Sequence, residues 1–277
     1  LQSSSLSIGA SAQFNNMWSM NIHISRYRPS YENDILRGGP SMKEPGGWTS
    51  FISLGTNYAR KVSLSFNSSI YAADEINQQS FYLAPGLNLK LTRALQMSSY
   101  FSYSISTNDM QYITSIPYDG DTRYITASLE QERVNMTFRI DYTIRPGLTI
   151  QYYGSPFIAS ASYNDYKRIT NPVAAEYNDR FSYLTRTLPE NPSRQPEIDI
   201  DENHDNLVEY VIQRPDFFFR QFRSNLVARW EYKAGSSLYF VWSQGRTGSD
   251  SDPAFRFANG IRSLASDFPN NVFLIKL

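Results

Sequence analysis

The sequence predicts an all-β protein, an antiparallel up-and-down transmembrane β-barrel. Apolar and polar residues alternate at period two almost throughout, while helical periodicity is nearly absent. Many alternating runs approach the roughly nine to eleven residues a tilted strand needs to cross a bilayer. Tight turns and long loops also fall on opposite ends of successive strands, as in outer-membrane barrels. Residues 134–153, VNMTFRIDYTIRPGLTIQYY, contain the whole argument in one hairpin. Val134, Met136, Phe138, Ile140, Tyr142 and Ile144 form one face, and Asn135, Thr137, Arg139, Asp141, Thr143 and Arg145 form the other. Pro146-Gly147 turns the chain, and Leu148, Ile150 and Tyr152 resume the apolar register.

The elements follow in order. Leu6, Ile8, Ala10, Ala12 and Phe14 alternate up to a turn at Asn15-Asn16, and Trp18, Met20, Ile22 and Ile24 carry the next strand. Beyond a Gly/Pro-rich loop, Trp48, Ile52 and Leu54 begin a third, which turns at Ala59-Arg60 into Val62, Leu64, Phe66 and Ile70. Phe81, Leu83, Leu87, Leu89 and Leu91 follow, and Arg93-Ala94 leads into Leu95, Met97, Phe101, Tyr103 and Ile105. A break near 107–109 reads as a short turn, with two shorter strands at 111–117 and 123–130 before the hairpin above. Leu226, Ala228, Trp230 and Tyr232 alternate again, a turn at 233–235 leads to Leu238, Phe240 and Trp242, and residues 271–277 form a last strand. The total is about thirteen strands in one domain over 1–277, an odd count where single-chain bacterial barrels have even ones. Outward loops are expected at about 28–47, 164–220 and 247–270, with the C-terminus toward the periplasm.

Composition narrows the function classes. The 277 residues hold 26 basic and 26 acidic side chains, so no net field recruits nucleic acid. With no Cys there is neither a disulfide framework nor a thiolate zinc site. No apolar run reaches the roughly 18 residues of a membrane helix, which leaves β-barrels untouched because their strands average two faces. No cleavable leader is visible; either an export signal has been removed or the chain is an internal piece. A soluble β-sandwich would also alternate, but its strands average about five or six residues. Trp18, Trp48, Tyr58, Tyr142, Tyr152, Trp230 and Tyr232 recur near strand ends, as interfacial aromatic girdles would.

Several motifs carry a resemblance. They are Arg37-Gly38-Gly39-Pro40 with Met42, Pro45-Gly46-Gly47-Trp48, residues 215–226 running into Arg229-Trp230-Glu231-Tyr232, residues 237–244 and residues 271–277. Together they resemble a domain-of-unknown-function family of Gram-negative outer-membrane barrels. In that family the barrel follows an N-terminal domain similar to family 9 carbohydrate-binding modules. The resemblance implies the C-terminal part of a larger barrel, trimmed at both ends, with the bilayer as partner. It also implies glycans and other outer-membrane or periplasmic subunits as further partners. A channel or transport-type role leads; a non-conducting accessory subunit and a barrel-linked hydrolase follow.

Candidate site residues are few. His23, Arg139, Asp141, Arg145, Arg223, Arg229 and Glu231 fall on the polar face and are expected to line the lumen, with mixed signs that argue against strong ion selectivity. Asp201, Asn203 and Asp205 offer oxygens at alternate positions and Glu209 follows three residues after Asn206, the pattern of a calcium loop. Asn206 stands at the turn position usually held by Gly, and Ile212 occupies the place of the expected final Glu. A solvated acidic loop explains the same residues. Only His23 and His204 are available for a triad, so no catalytic residues are assigned. The Arg37-Gly38-Gly39-Pro40 stretch lacks the lysine of a phosphate loop.

Overall fold

A computed structural model describes residues 4–186, 197–255 and 257–277. One large antiparallel sheet dominates it. Its strands are β1 (Ser5–Gln13), β2 (Ser19–Tyr27), β5 (Gly47–Gly55), β6 (Val62–Ala73), β7 (Gln79–Lys90), β8 (Leu95–Tyr118), β9 (Asp121–Arg145), β10 (Leu148–Ile169), β15 (Phe217–Lys233), β16 (Ser236–Asp250) and β17 (Asn270–Lys276). Each pairs with its neighbour in this order, and β11 (Phe181–Tyr183) adds to β10, making twelve strands. A small hairpin of β3 (Ser30–Glu32) and β4 (Met42–Glu44) interrupts the β2–β5 connection. A three-stranded sheet of β12 (Thr185–Arg186), β13 (Glu197–Asp201) and β14 (Tyr210–Gln213) lies in the β10–β15 connection. One α-helix, α1 (Phe257–Ser266), lies between β16 and β17.

The all-β, antiparallel, nearest-neighbour architecture matches the expectation, and the strand count is corrected to eleven along the main path. The break near 107–109 is not a turn. β8 carries extra residues at two register shifts, between Asn108 and Gln111 and between Tyr112 and Thr114. A bulge inverts the alternation without ending the ladder, so one strand reads as two. The chain turns only at Asp119-Gly120, where both residues take positive φ. Strands β3, β4 and β11–β14, a short 3-10 turn (Tyr177–Arg180) and α1 lie within the long connections. The sheet is open among the described residues, since the outer edges of β1 and β17 have no partner.

Register aligns one apolar face across the sheet. Ile8 pairs with Ile24, Ile22 with Ile52, Leu54 with Phe66, and Leu64 with Leu87. Leu89 pairs with Met97, Met97 with Ile140, and Ile140 with Tyr152. Tyr152 meets Leu226, Leu226 meets Trp242, and Trp242 meets Phe273. Along most of its length this band is left open among the described residues: Leu6 is 78% and Phe273 63% exposed, and Ile24, Leu64 and Ile144 are also exposed.

The buried core lies elsewhere, at the long-loop end. One cluster joins Ile125, Ala127 and Tyr166 of the main sheet to Ile198, Ile200, Tyr210 and Ile212 of the small sheet. A second gathers Leu36 and Met42 over Met110, Ile169 and Phe181. A soluble sandwich would put its core on the apolar face; here the core caps the far ends of β8, β9 and β10 instead.

Candidate functional site

The opposite face of the sheet is polar by the same alternation. Arg139 Nε donates to both carboxylate oxygens of Asp141 at 3.2 and 3.0 Å, and Gln151 Nε2 donates to Asp141 at 2.8 Å from the next strand. Two strands away, Arg229 Nη2 donates to Glu231 at 3.1 Å and to Ser237 Oγ at 3.3 Å. The four charges therefore form two neutral pairs within their own strands. Arg223 stands opposite Ser155 and Gly245. His23 lies opposite Gly9 and Phe51, and a Cβ on Gly9 would stand 3.0 Å from its Nδ1. Arg145 sits at the hairpin end, opposite Leu148, where the register shifts. These residues share a face without converging on a point.

The same face of β9 continues into the far core. Arg123, Ile125, Ala127 and Leu129 have the parity of Asn135 and Arg139, and all four are buried. The β12–β14 sheet thus packs on the extension of the polar face. Glu202 fastens it there. Its carboxylate takes Arg123 Nε at 3.2 Å, Arg168 Nη1, and the Tyr210 hydroxyl at 2.8 Å. Burial, with the Glu202 hydrogen bond added, pushes the Tyr210 phenol far above its ordinary range. The opposite face of the extension is fastened by two fully buried cations. Lys167 Nζ donates to Asp109 O at 2.7 Å and Ser128 Oγ at 2.8 Å beneath the rings of Phe181 and Tyr183. Arg180 donates to Glu75 at 2.7 Å and to the carbonyls of Ala174 and Ala175. Burial lowers the Lys167 pKa. It would raise that of Glu75, but hydrogen bonds from Arg180 and Lys43 outweigh it and hold the carboxyl below its usual value.

The acidic loop joins β13 to β14. Carboxylate oxygens of Asp201, Asp205 and Glu209 lie within 4.8 Å of one another, so three of the four expected ligands converge. Asn203 is drawn aside, donating from Nδ2 to Asp205 at 3.1 Å. The convergence has a local cause. Asp201 accepts the amides of Asp205 and Asn206 at 3.1 and 2.9 Å, and Glu209 accepts that of Glu202 at 2.6 Å. Asn206 takes positive φ, as its turn position requires, and so does His204. Each carboxylate thus serves a loop amide, the usual work of Asp in an Asx turn. His204 Nδ1 lies 2.9 Å from Thr185 Oγ1, and among the described residues neither histidine pairs with a serine hydroxyl.

The sequence reading missed Glu202, Arg123, Arg168, Lys167 and Arg180. Their partners are 34 to 105 residues away in most cases, as for Arg168–Glu202 and Arg180–Glu75, and no periodicity encodes such pairs. The family model described as Domain of unknown function (DUF5916) matches residues 1–277, so the chain belongs to that family. No curated protein matches it. A solved structure titled "Copper transporter OprC" is similar over 98% of this chain and 40% of its own, with 7% identity and a TM-score of 0.46. The chain therefore spans about two fifths of that protein's length.

Proposed function

We propose that this member of the DUF5916 family is membrane-spanning wall of an outer-membrane β-barrel, with a transport-type role and a polar, water-filled side. The apolar band, in register across eleven strands and exposed or half-buried along most of them, carries the reading. On β9 the apolar register runs from Val134, buried at its outer end, to Ile144, about 34 Å along the strand. A tilt of about 35–45° brings that near the ~25 Å apolar belt of outer-membrane barrels. Exposed Phe14, Trp18, Tyr58, Tyr142, Trp230 and Tyr232 cluster at the tight-turn end, where an interfacial girdle would lie. The tight turns then face the periplasm and the capped end faces outward. Unpaired backbone at β1 and β17 must be satisfied inside lipid, so closure through further strands is part of the reading. No catalytic role is assigned. Glycan handling is the narrower form of the proposal and rests on the family resemblance.

One observation favours a non-conducting accessory subunit instead. The β12–β14 sheet packs on the extension of the polar face, so on closure it would overhang the barrel mouth. Conductance of the full-length protein in planar bilayers separates the two. Stepwise current supports transport; insertion without current leaves the accessory reading.

A further inference from the structure

α1 extends the membrane contact beyond the strands, an inference that rests on the bilayer reading above. The helix packs on the band side of the sheet. A Cβ on Gly260 would stand 2.8 Å from Ile158 and 3.0 Å from Phe218. Ile158 shares the parity of Ile150 and Tyr152 on β10, and Phe218 that of Leu226 and Ala228 on β15. Buried Leu264 completes the contact. Arg246 closes the C-terminal end, donating to the carbonyls of Leu264, Ala265 and Asp267, groups a helix end otherwise leaves unpaired. Arg220 holds Asp267 at 2.7 Å.

The height of this contact is informative. Arg246 lies four residues past Trp242 on β16, about 14 Å along the strand. The C-terminal end of the helix therefore lies over the outer edge of the apolar band, since Arg246 is in register with Met136 through Phe222 and Pro156. Its outward edge is apolar: Phe257 and Ile261 are exposed one turn apart, and Phe268, just past the helix, is 92% exposed. A bare phenyl ring in water is unfavourable, whereas the headgroup–acyl boundary accommodates aromatic rings on amphipathic helices.

We propose that α1 and Phe268 form an interfacial foot, inserting Phe268 and the Phe257–Ile261 edge into the lipid boundary on the long-loop side. Continuity with the band argues for lipid over a second protein. The foot would tie the β16–β17 connection to the membrane plane and away from the barrel mouth.

These 277 residues hold no Cys, and with any cysteine elsewhere in the full-length protein replaced by serine, single cysteines report cleanly. Full-length protein carrying Phe268→Cys, Ile261→Cys, Phe240→Cys or Thr122→Cys is labelled with bimane. The labelled variants go into phosphatidylcholine vesicles containing nitroxide-bearing lipid. Phe240 lies in the band and Thr122 at the far tip of β9. The expected result is loss of fluorescence at 268 and 261 comparable to that at 240 and well beyond that at 122. Quenching at 240 with none at 268 and 261 overturns the foot and leaves the barrel standing. Absence of quenching at 240 as well removes the bilayer reading and the foot together.

Discussion

Phe138 of β9 lies across the bare backbone of Gly154, its partner on β10, and its ring meets that of Tyr152 at a tilt of 39°, centroids 5.6 Å apart. A side chain on Gly154 would occupy the space of the ring. Aromatic cover of a strand glycine pins register, and here it joins two strands of the exposed band. Gly154→Val should therefore displace Phe138 and cost about 1–3 kcal/mol in unfolding from lipid vesicles. Gly245→Val is the comparison, because nothing stands within 4 Å of a Cβ there. Equal losses at both positions would mean that the ring contact contributes nothing.

Glu202 holds the small sheet on the end of the large one. Glu202→Ala leaves Arg123, itself mostly buried, with Asp121 at 3.1 Å and the Tyr118 ring, and deprives Tyr210 of its acceptor. A loss of about 1.5–3 kcal/mol is expected, the usual range for hydrogen bonds to charged groups. Hydrogen exchange should rise in β13 and β14 and not in β1 to β7. A uniform rise over the whole sheet would contradict a local fastening.

Asp201 is buried and accepts two loop amides. Asp201→Ala should cost about 1.5–3 kcal/mol, the usual range for hydrogen bonds to charged groups. Because the loop amides account for the convergence of the carboxylates, thermal stability should not change between calcium and chelator. A calcium-dependent rise in melting temperature that Asp201→Ala abolishes would assign a metal to the loop.

Glu75 gives the capped end a pH dependence of known sign. Its carboxyl titrates below the ordinary 4.5 because Arg180 and Lys43 hydrogen-bond to the charged form. A depressed acid contributes stability that is complete above the unfolded value and lost as pH falls through the folded one. Wild type should therefore exceed Glu75→Gln by about 1–2 kcal/mol at pH 7, and the gap should close below pH 4.5. A gap that stays the same as the pH is lowered until the carboxyl is fully protonated would place the effect elsewhere.

The sheet was legible because its two faces meet different surroundings, so each strand carries its own period-two record. Residues 134–153 formed the hairpin read from them, turn included. The far end was less legible for a physical reason. Where β8 bulges, alternation inverts, and past that point both faces of β9 are buried, as Ile125 and Thr126 show. α1 did leave a trace in Phe257, Ile261 and Leu264, spaced as one helical face, but it sat in a stretch expected to be loop. Ile198, Ile200, Tyr210 and Ile212 also alternate, yet the acidic residues between them drew attention to metal ligation. The Arg and Glu residues that fasten these pieces pair across long sequence separations and left no local pattern.

The central claim is that one face of this sheet meets lipid and the other meets water. The direct measurement is cysteine accessibility along β9 in vesicle-embedded full-length protein, using a charged, membrane-impermeant maleimide. Positions 135, 137, 139, 141 and 143 should label, and 136, 138, 140 and 142 should resist until the bilayer is dissolved. Equal labelling of both series with the bilayer intact would contradict the account.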